Sequence, residues 1–408
     1  MMKEKQTQKL EKAKAAYRQY VNPKQLAKFL DGGGSLANRE EIADAFDYDW
    51  HARKLKFDSH FTGHVLMQTT AYESTRDHQW AAQNDLLFQA SGAAVDISVS
   101  GLAQANKNRP IEPLVVFLRQ VMDAVATLPH RKLRDLDKET WQGIVSLLKR
   151  VDLFDATTLT LPPKLREWAP ASYHDYGALK LQLKIAGDSG AIKQILLTPG
   201  KGNDSAYFTD MIGDLEAQEG TLFVFDAGYW NKQTYQTIAA SDNEFVTKLP
   251  GRIKPILVEE RPVPEEPLDS GYTIVKDAIV HLDSENQQPF RLLEVEMTNG
   301  QEATLLSSLT EMPADNICLL YRYRWSIEIV FRWLRQHLQI DHFMSHDPTG
   351  ILRQILTALI VWGLLVIANQ NPDKLSPKQL WPQLMADLHR VIFELGYRLG
   401  LDDVEVAF

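Results

Sequence analysis

The chain of 408 residues has a single cysteine, Cys318, so neither an internal disulfide nor a cysteine-built metal centre is open to it. That economy fits a reducing compartment. Long hydrophobic runs are also missing. The longest, "LTALIVWGLLVIA" from Leu356 to Ala368, falls short of the roughly 20 residues a membrane span needs. It reads as a helix buried in a protein core, which argues against a membrane role. The opening "MMKEKQTQKLEKAKAAYRQ" has no apolar stretch behind its lysines and so does not read as a secretory signal. Positive charge is scarce overall. Forty-four Lys and Arg face 53 Asp and Glu, a net charge of −9, which taken alone argues mildly against a nucleic-acid partner.

The charge that is present is unevenly placed. Residues 1–30 hold eight lysines and arginines against two glutamates. A second basic stretch, "YRYRWSIEIVFRWLRQHL" (321–338), carries four arginines around the single carboxylate Glu328. Local patches, not the net sum, decide contact with a polyanion. With 44% hydrophobic and 24% charged residues, the composition is that of a globular protein long enough for two or three domains.

Texture divides the chain. Up to residue 148 the apolar spacing is near 3.6, as in "QTQKLEKAKAAYRQY", "NREEIADAFDYDWHARKL", "IEPLVVFLRQVMDAVATL" and "KETWQGIVSLLKR". Within it "DISVSGLAQANKNRP" (96–110) has the small, polar texture of a helix-turn-helix with a basic second element, a plain helical bundle being an equal alternative. From 149 to 231 β-forming runs take over: "VDLFDATTLTL", "ALKLQLKIA", "IKQILLTP" and "TLFVFDAGYW", the second and third joined by a hairpin turn, with helical spacing in "SAYFTDMIGDLEAQ". Residues 232–317 alternate short strand candidates ("EFVTKL", "TIVKDAIVHL", "RLLEVEM" and "ATLLSSL") with the Pro- and Glu-rich "VEERPVPEEPLDSG", which reads as a β-rich insertion and not a continuation of the sheet. Helical character returns over 318–375, and 376–408 form a helical tail.

Three carboxylates occupy unusual places. Asp155 lies within a buried strand, where an aspartate is costly unless paired or metal-bound. Asp226 ends a strand apolar on both faces, at the carboxyl end where open α/β sheets bind ligands. If 321–338 is one helix, Glu328 falls within an arc of about 80° that also holds Tyr321, Arg324, Arg332 and Arg335, beside an apolar face. Each taken alone has an ordinary reading: a paired strand aspartate, a turn aspartate, or a glutamate balanced by arginines on a solvated face. Together, without a cysteine or histidine cluster, they suit an all-oxygen site for Mg²⁺ or Mn²⁺ better than one for Zn²⁺.

With these motifs the chain resembles the DDE transposases of bacterial insertion sequences, in particular the insertion-sequence four group. That group carries Tyr-x2-Arg-x3-Glu-x6-Lys, matched by Tyr321, Arg324, Glu328 and Arg335, with arginine in place of the final lysine. Its first aspartate lies in a motif like "DATT" (Asp155) and its second in D-x-G-Y, here "DAGY" (Asp226). The likeness runs from about Val151 to Gly363.

The resemblance implies an α/β fold with a ribonuclease H-like mixed-sheet core, a β-rich insertion and a helical N-terminal region that recognises DNA ends. It implies catalytic, metal-holding Asp155, Asp226 and Glu328, with Mg²⁺ (or Mn²⁺) as cofactor. Tyr321, Arg324, Arg335, the neighbouring Arg332 and, in a segment the group keeps basic, Lys180 would contact DNA; Asp204 lies in a segment it keeps acidic. The partners would be double-stranded transposon ends and target DNA, bound by a homodimer in a bacterial or archaeal cytoplasm, at the nucleoid. Members that cleave through a DNA hairpin stack a flipped base on a tryptophan of the insertion. No tryptophan occurs here between Asn231 and Arg324, which leaves Phe290 or Tyr272 as substitutes. A metal-dependent nuclease that no longer transposes and a catalytically silent DNA-binding regulator are the rival readings.

Overall fold

The computed structural model describes residues 39–127 and 150–369, apart from positions 51, 70–71, 172–175, 188, 269, 298–299 and 339. The helices expected at 6–20 and 138–149, and the tail after 369, lie outside the described residues.

One nine-stranded sheet, in the order β3-β2-β1-β4-β5-β9-β8-β7-β6, carries the structure. The strands β1 (Arg150–Leu161), β2 (Gly177–Ala186) and β3 (Ile192–Pro199) form an antiparallel meander. Gly190 takes a positive φ of 72° in the β2–β3 turn, as a tight connection demands. β4 (Thr221–Phe225), preceded by the short helix α7 (Phe208–Ile212), and β5 (Glu244–Lys248) join β1 in parallel, with a helix, α8 (Lys232–Ala239), crossing between β4 and β5. This is a mixed α/β sheet of the ribonuclease H-like kind, as expected.

Period-two side-chain alternation sends residues of one strand to two cores. From β4, Leu222 and Val224 join one cluster while Phe223 and Phe225 join the other. The second is an aromatic nest in which Phe154, Phe208, Phe225, Tyr229, Tyr235 and Phe245 meet mostly edge to face. The first is covered by α9 (Ala314–Tyr323), α10 (Trp325–Leu338) and α11 (Pro348–Asn369), so every residue of β4 is buried. Within α11, Ile351 through Leu364 lie in the core, which accounts for the long apolar run. No described helix is long and apolar enough to cross a membrane.

Three expectations are overturned. The insertion does continue the sheet: β9 (Glu302–Ser307) pairs antiparallel with β5, and β8 (Phe290–Glu296), β7 (Thr273–His281) and β6 (Ile256–Arg261) follow outward. Otherwise β5 would be a bare edge with unpaired backbone groups. The strand β6 lies partly within the Pro- and Glu-rich run. The stretch 321–338 is two helices that part at Arg324, whose N–H reaches back only to Tyr321 and whose carbonyl accepts from Ile327. Residues 96–110 contain one helix, α5 (Val99–Asn108), not a helix-turn-helix. Its small, polar start is an N-cap, with Ser98 Oγ accepting from Gly101 N.

The N-terminal helices α1 (Arg39–Ala45), α2 (Phe57–Thr69), α3 (Thr75–Asn84), α4 (Leu86–Ala90), α5 and α6 (Glu112–Ala126) come ahead of β1 in the chain. Several of them pack on α11, and Gly363 lets α6 approach so closely that a Cβ there would stand 2.5 Å from Val121. A buried polar chain ties them together. Arg353 of α11 donates to Tyr48 Oη (2.9 Å), Tyr48 pairs with His60 Nδ1 (2.7 Å), and Asn106 Oδ1 accepts from both His60 Nε2 and His64 Nε2. With its Oη accepting from Arg353, Tyr48 donates to Nδ1 and holds His60 neutral, and burial favours the neutral form of His64. His78 packs edge-on against His64, and burial lowers all three pKa values, that of His78 to about 4.

A histidine whose pKa is lower folded than unfolded leaves stability intact above about 6.5 and removes it as pH falls, because the unfolded chain takes up the proton first. His78 alone should cost about 2 kcal/mol between pH 7 and pH 5. Urea denaturation at the two pH values checks this. Equal midpoints would mean that the histidines are not buried in the neutral form.

Candidate active site

Three separate chain segments converge on one cleft of about 520 Å³, lined by Asp155, Ala156, Thr157, Asp226, Arg324, Glu328, Phe331, Arg332, Arg335 and Gln336. Asp155 comes from the middle of β1, in register with Leu183 of β2. Asp226 follows β4 directly and opens a short turn over Ala227–Tyr229. The parallel pairing of β1 with β4 brings the two segments side by side. Glu328 is in the first turn of α10, where the helix dipole favours a negative charge.

Each carboxylate is engaged by a donor of the chain itself. Arg324 Nη1 donates to Asp155 Oδ2 and Arg324 Nη2 to Glu328 Oε1, both at 2.6 Å. Asp155 also accepts from the Ala156 N–H at 2.8 Å. Tyr321 Oη donates to Asp226 Oδ1 at 3.0 Å. Burial pushes the Asp155 carboxyl up to about 6, against the pull of the Arg324 guanidinium. Burial likewise works against the charge on Arg324, but Asp155 and its neighbours outweigh it and hold the guanidinium firmly cationic. Burial and the Asp226 charge raise the Tyr321 phenol, so it stays a donor.

Among the described residues, no three His, Cys, Asp or Glu side chains are drawn together as a ready metal cage. The reason is visible in the contacts: a guanidinium stands between two of the carboxylates. The donor set nonetheless fits a hard divalent ion, since it is all oxygen and already collects one positive charge at the point of convergence.

The residues expected at DNA divide into groups. Arg332 and Arg335 line the cleft and are exposed. Arg335 Nη2 donates to Thr157 Oγ1 (2.6 Å) and Thr158 O (2.7 Å), and Arg332 lies over the Trp325 ring. Tyr321 and Arg324 are instead buried and turned onto the carboxylates. Lys180 is not part of the cleft lining; it is paired with Asp204 at 2.9 Å and with Gly202 O. Phe290 and Tyr272 are both buried, which removes them as base-stacking substitutes.

Thr157 and Gln336 line the cleft without having been singled out. The hydroxyl in "DATT" and the position eight residues beyond Glu328 were the available signals. Asp152, also passed over, is fully buried beneath Lys193 and serves the sheet, not the cleft.

A mixed α/β sheet with one aspartate in mid-strand, a second just past the neighbouring strand and a helix glutamate in one basic-rimmed cleft is the arrangement of a ribonuclease H-like core. The family model described as the transposase DDE domain matches residues 147–364. A protein of Sinorhizobium fredii (strain NBRC 101917 / NGR234), named as transposase y4zB, is 30% identical over 65% of this chain and 70% of its own. One from Synechocystis sp., named as a transposase for insertion sequence element IS4SA, is 23% identical over 67% of this chain and 72% of its own. The transposase for insertion sequence element IS231F of Bacillus thuringiensis subsp. israelensis is 22% identical over 57% and 58%. The chain belongs to the DDE transposase family.

Arg335→Ala removes the donor to the buried Thr157 hydroxyl and should cost about 1 kcal/mol, the exposed guanidinium contributing little more. Arg335→Lys, which keeps one donor of the fork, should recover part of it. Guanidinium chloride denaturation of the three proteins gives the order. Identical midpoints would show that the contact carries no stability.

Proposed function

We propose that this transposase cuts the ends of its insertion sequence and joins them to target DNA by phosphoryl transfer at the Asp155, Asp226 and Glu328 cleft. The observation that carries the reading is the convergence of three carboxylates, from segments up to 173 residues apart in sequence, on one cleft whose rim bears Arg332 and Arg335.

Asp155, Asp226 and Glu328 are the groups that hold Mg²⁺, with Mn²⁺ able to substitute. Bound there, the ions supply Lewis-acid activation of the attacking oxygen and stabilisation of the leaving oxygen. The side chains do the rest. Tyr321 Oη fixes the orientation of Asp226. Arg332 and Arg335 present exposed guanidinium forks to backbone phosphates, the geometry in which arginine exceeds lysine. The bond from Arg335 to Thr157 and Thr158 keeps β1, and with it Asp155, in register with α10.

The helical region before residue 149 is assigned to recognition of the transposon ends, with the ribonuclease H-like core at 149–231 and 318–375 and the insertion at 232–317. Synapsis of two ends calls for a homodimer acting on DNA in the cytoplasm, at the nucleoid. Lys180, held by Asp204, braces the loop beside "DAGY": a Cβ on Gly228 would lie 3.3 Å from Asp204 Oδ2.

The test is a cleavage and strand-transfer assay, with purified protein, DNA carrying the ends that flank its own gene, and Mg²⁺. Joined products should form and fall by at least about a hundredfold in Glu328→Gln, the loss of one metal-holding charge. Nicking without joining would mark a nuclease. End binding without chemistry in either Mg²⁺ or Mn²⁺ would mark a regulator and end the catalytic reading.

A further inference from the structure

The geometry points to Arg324 as an internal counter-ion that competes with the divalent metal for Asp155 and Glu328, so that metal loading is coupled to DNA binding. This rests on the reading that Asp155, Asp226 and Glu328 hold the metal.

Three observations carry it. The guanidinium does not sit beside the carboxylates but between two of them, one on each terminal nitrogen, at 2.6 Å. Its side chain is only 10% exposed, so this contact is poorly screened by solvent. An ion entering between Asp155 and Glu328 meets oxygens already committed to a fixed positive charge. The pose is also incomplete: Arg324 Nε is buried with no hydrogen-bond partner among the described residues, so the residue does not reach its best-satisfied state here. A phosphate, which accepts a planar fork through several oxygens, would satisfy it better.

The backbone permits the change. Arg324 is the single residue between α9 and α10, and the helical bonds on either side close without its side chain. The cleft it would swing into already displays Arg332 and Arg335, so an incoming phosphate backbone arrives next to it. Asp226 differs from the other two. Its partner is the neutral Tyr321 hydroxyl, which orients the carboxylate without cancelling its charge. The free protein therefore offers one uncompensated carboxylate and two that are occupied. DNA draws the guanidinium away and releases the pair. By linkage, whatever factor DNA adds to metal affinity, metal adds to DNA affinity. A site arranged this way binds metal weakly until the substrate is in place.

The test uses the full chain and measures binding, not turnover. Free Mn²⁺ is followed by electron paramagnetic resonance as it is titrated into wild type, Arg324→Gln, Arg324→Lys and Asp155→Asn. Each is run with and without a short DNA duplex, after subtraction of the ions the duplex itself binds. Without DNA, Arg324→Gln should bind Mn²⁺ at least about tenfold more tightly than wild type, the worth of one charge-assisted hydrogen bond. The duplex should strengthen Mn²⁺ binding to wild type by a similar factor and leave Arg324→Gln unchanged. Arg324→Lys, a point charge that cannot bridge both carboxylates, should also bind more tightly than wild type, and it serves if circular dichroism shows the glutamine variant unfolded. Equal or weaker Mn²⁺ binding in the folded Arg324 variants overturns the proposal. Unchanged Mn²⁺ binding in Asp155→Asn instead overturns the assignment of the metal to this cleft.

Discussion

The cleft depends on one buried charge. Asp155 stands in a strand where an unpaired carboxylate would be prohibitive, and the fold answers with the guanidinium of Arg324 from the opposite side of the cleft. That pairing links β1 to the junction of α9 and α10, and through the second nitrogen it also sets the rotamer of Glu328. Much of the surrounding architecture serves to hold those two elements in place. β2 and β4 flank β1, two cores press on the sheet from either side, and α11 backs the helices. Removing one charge of such a pair leaves the other buried and alone, which costs far more than the pair's own net worth.

The same arrangement explains how three carboxylates can share one cleft. Three carboxylates held close repel one another, and burial already raises the Asp155 carboxyl to about 6. An arginine inside the cluster and a phenol on Asp226 keep the geometry until a stronger electrostatic partner arrives. The rim arginines add a positive approach path on a chain whose net charge is −9.

Much of this was legible in the sequence because the informative signals were local. Period-two runs marked β1 to β4 nearly to the residue, and β5 and β7 to β9 almost as well. An aspartate in mid-strand, another directly after a doubly apolar strand, and a glutamate framed by arginines marked the cleft. What escaped notice was either non-local or featureless. No residue pattern in "ATLLSSL" says that its strand will close the edge of β5. The strand β6 presents Ile256, Leu257 and Val258 to solvent on both faces, so it has no alternation to read. The break at Arg324 contains neither glycine nor proline. The contacts of Tyr321 with Asp226 and of Arg324 with Asp155 and Glu328 were not legible either, because spacing alone cannot tell a side chain aimed at a ligand from one aimed at its neighbour.

The most direct test of the central claim is anomalous diffraction from crystals of the protein with bound duplex DNA, soaked in Mn²⁺. The account predicts anomalous peaks in contact with Asp155, Asp226 and Glu328, with Arg324 turned onto a phosphate. Peaks elsewhere, or ions in the cleft with Arg324 still bridging Asp155 and Glu328, would contradict it.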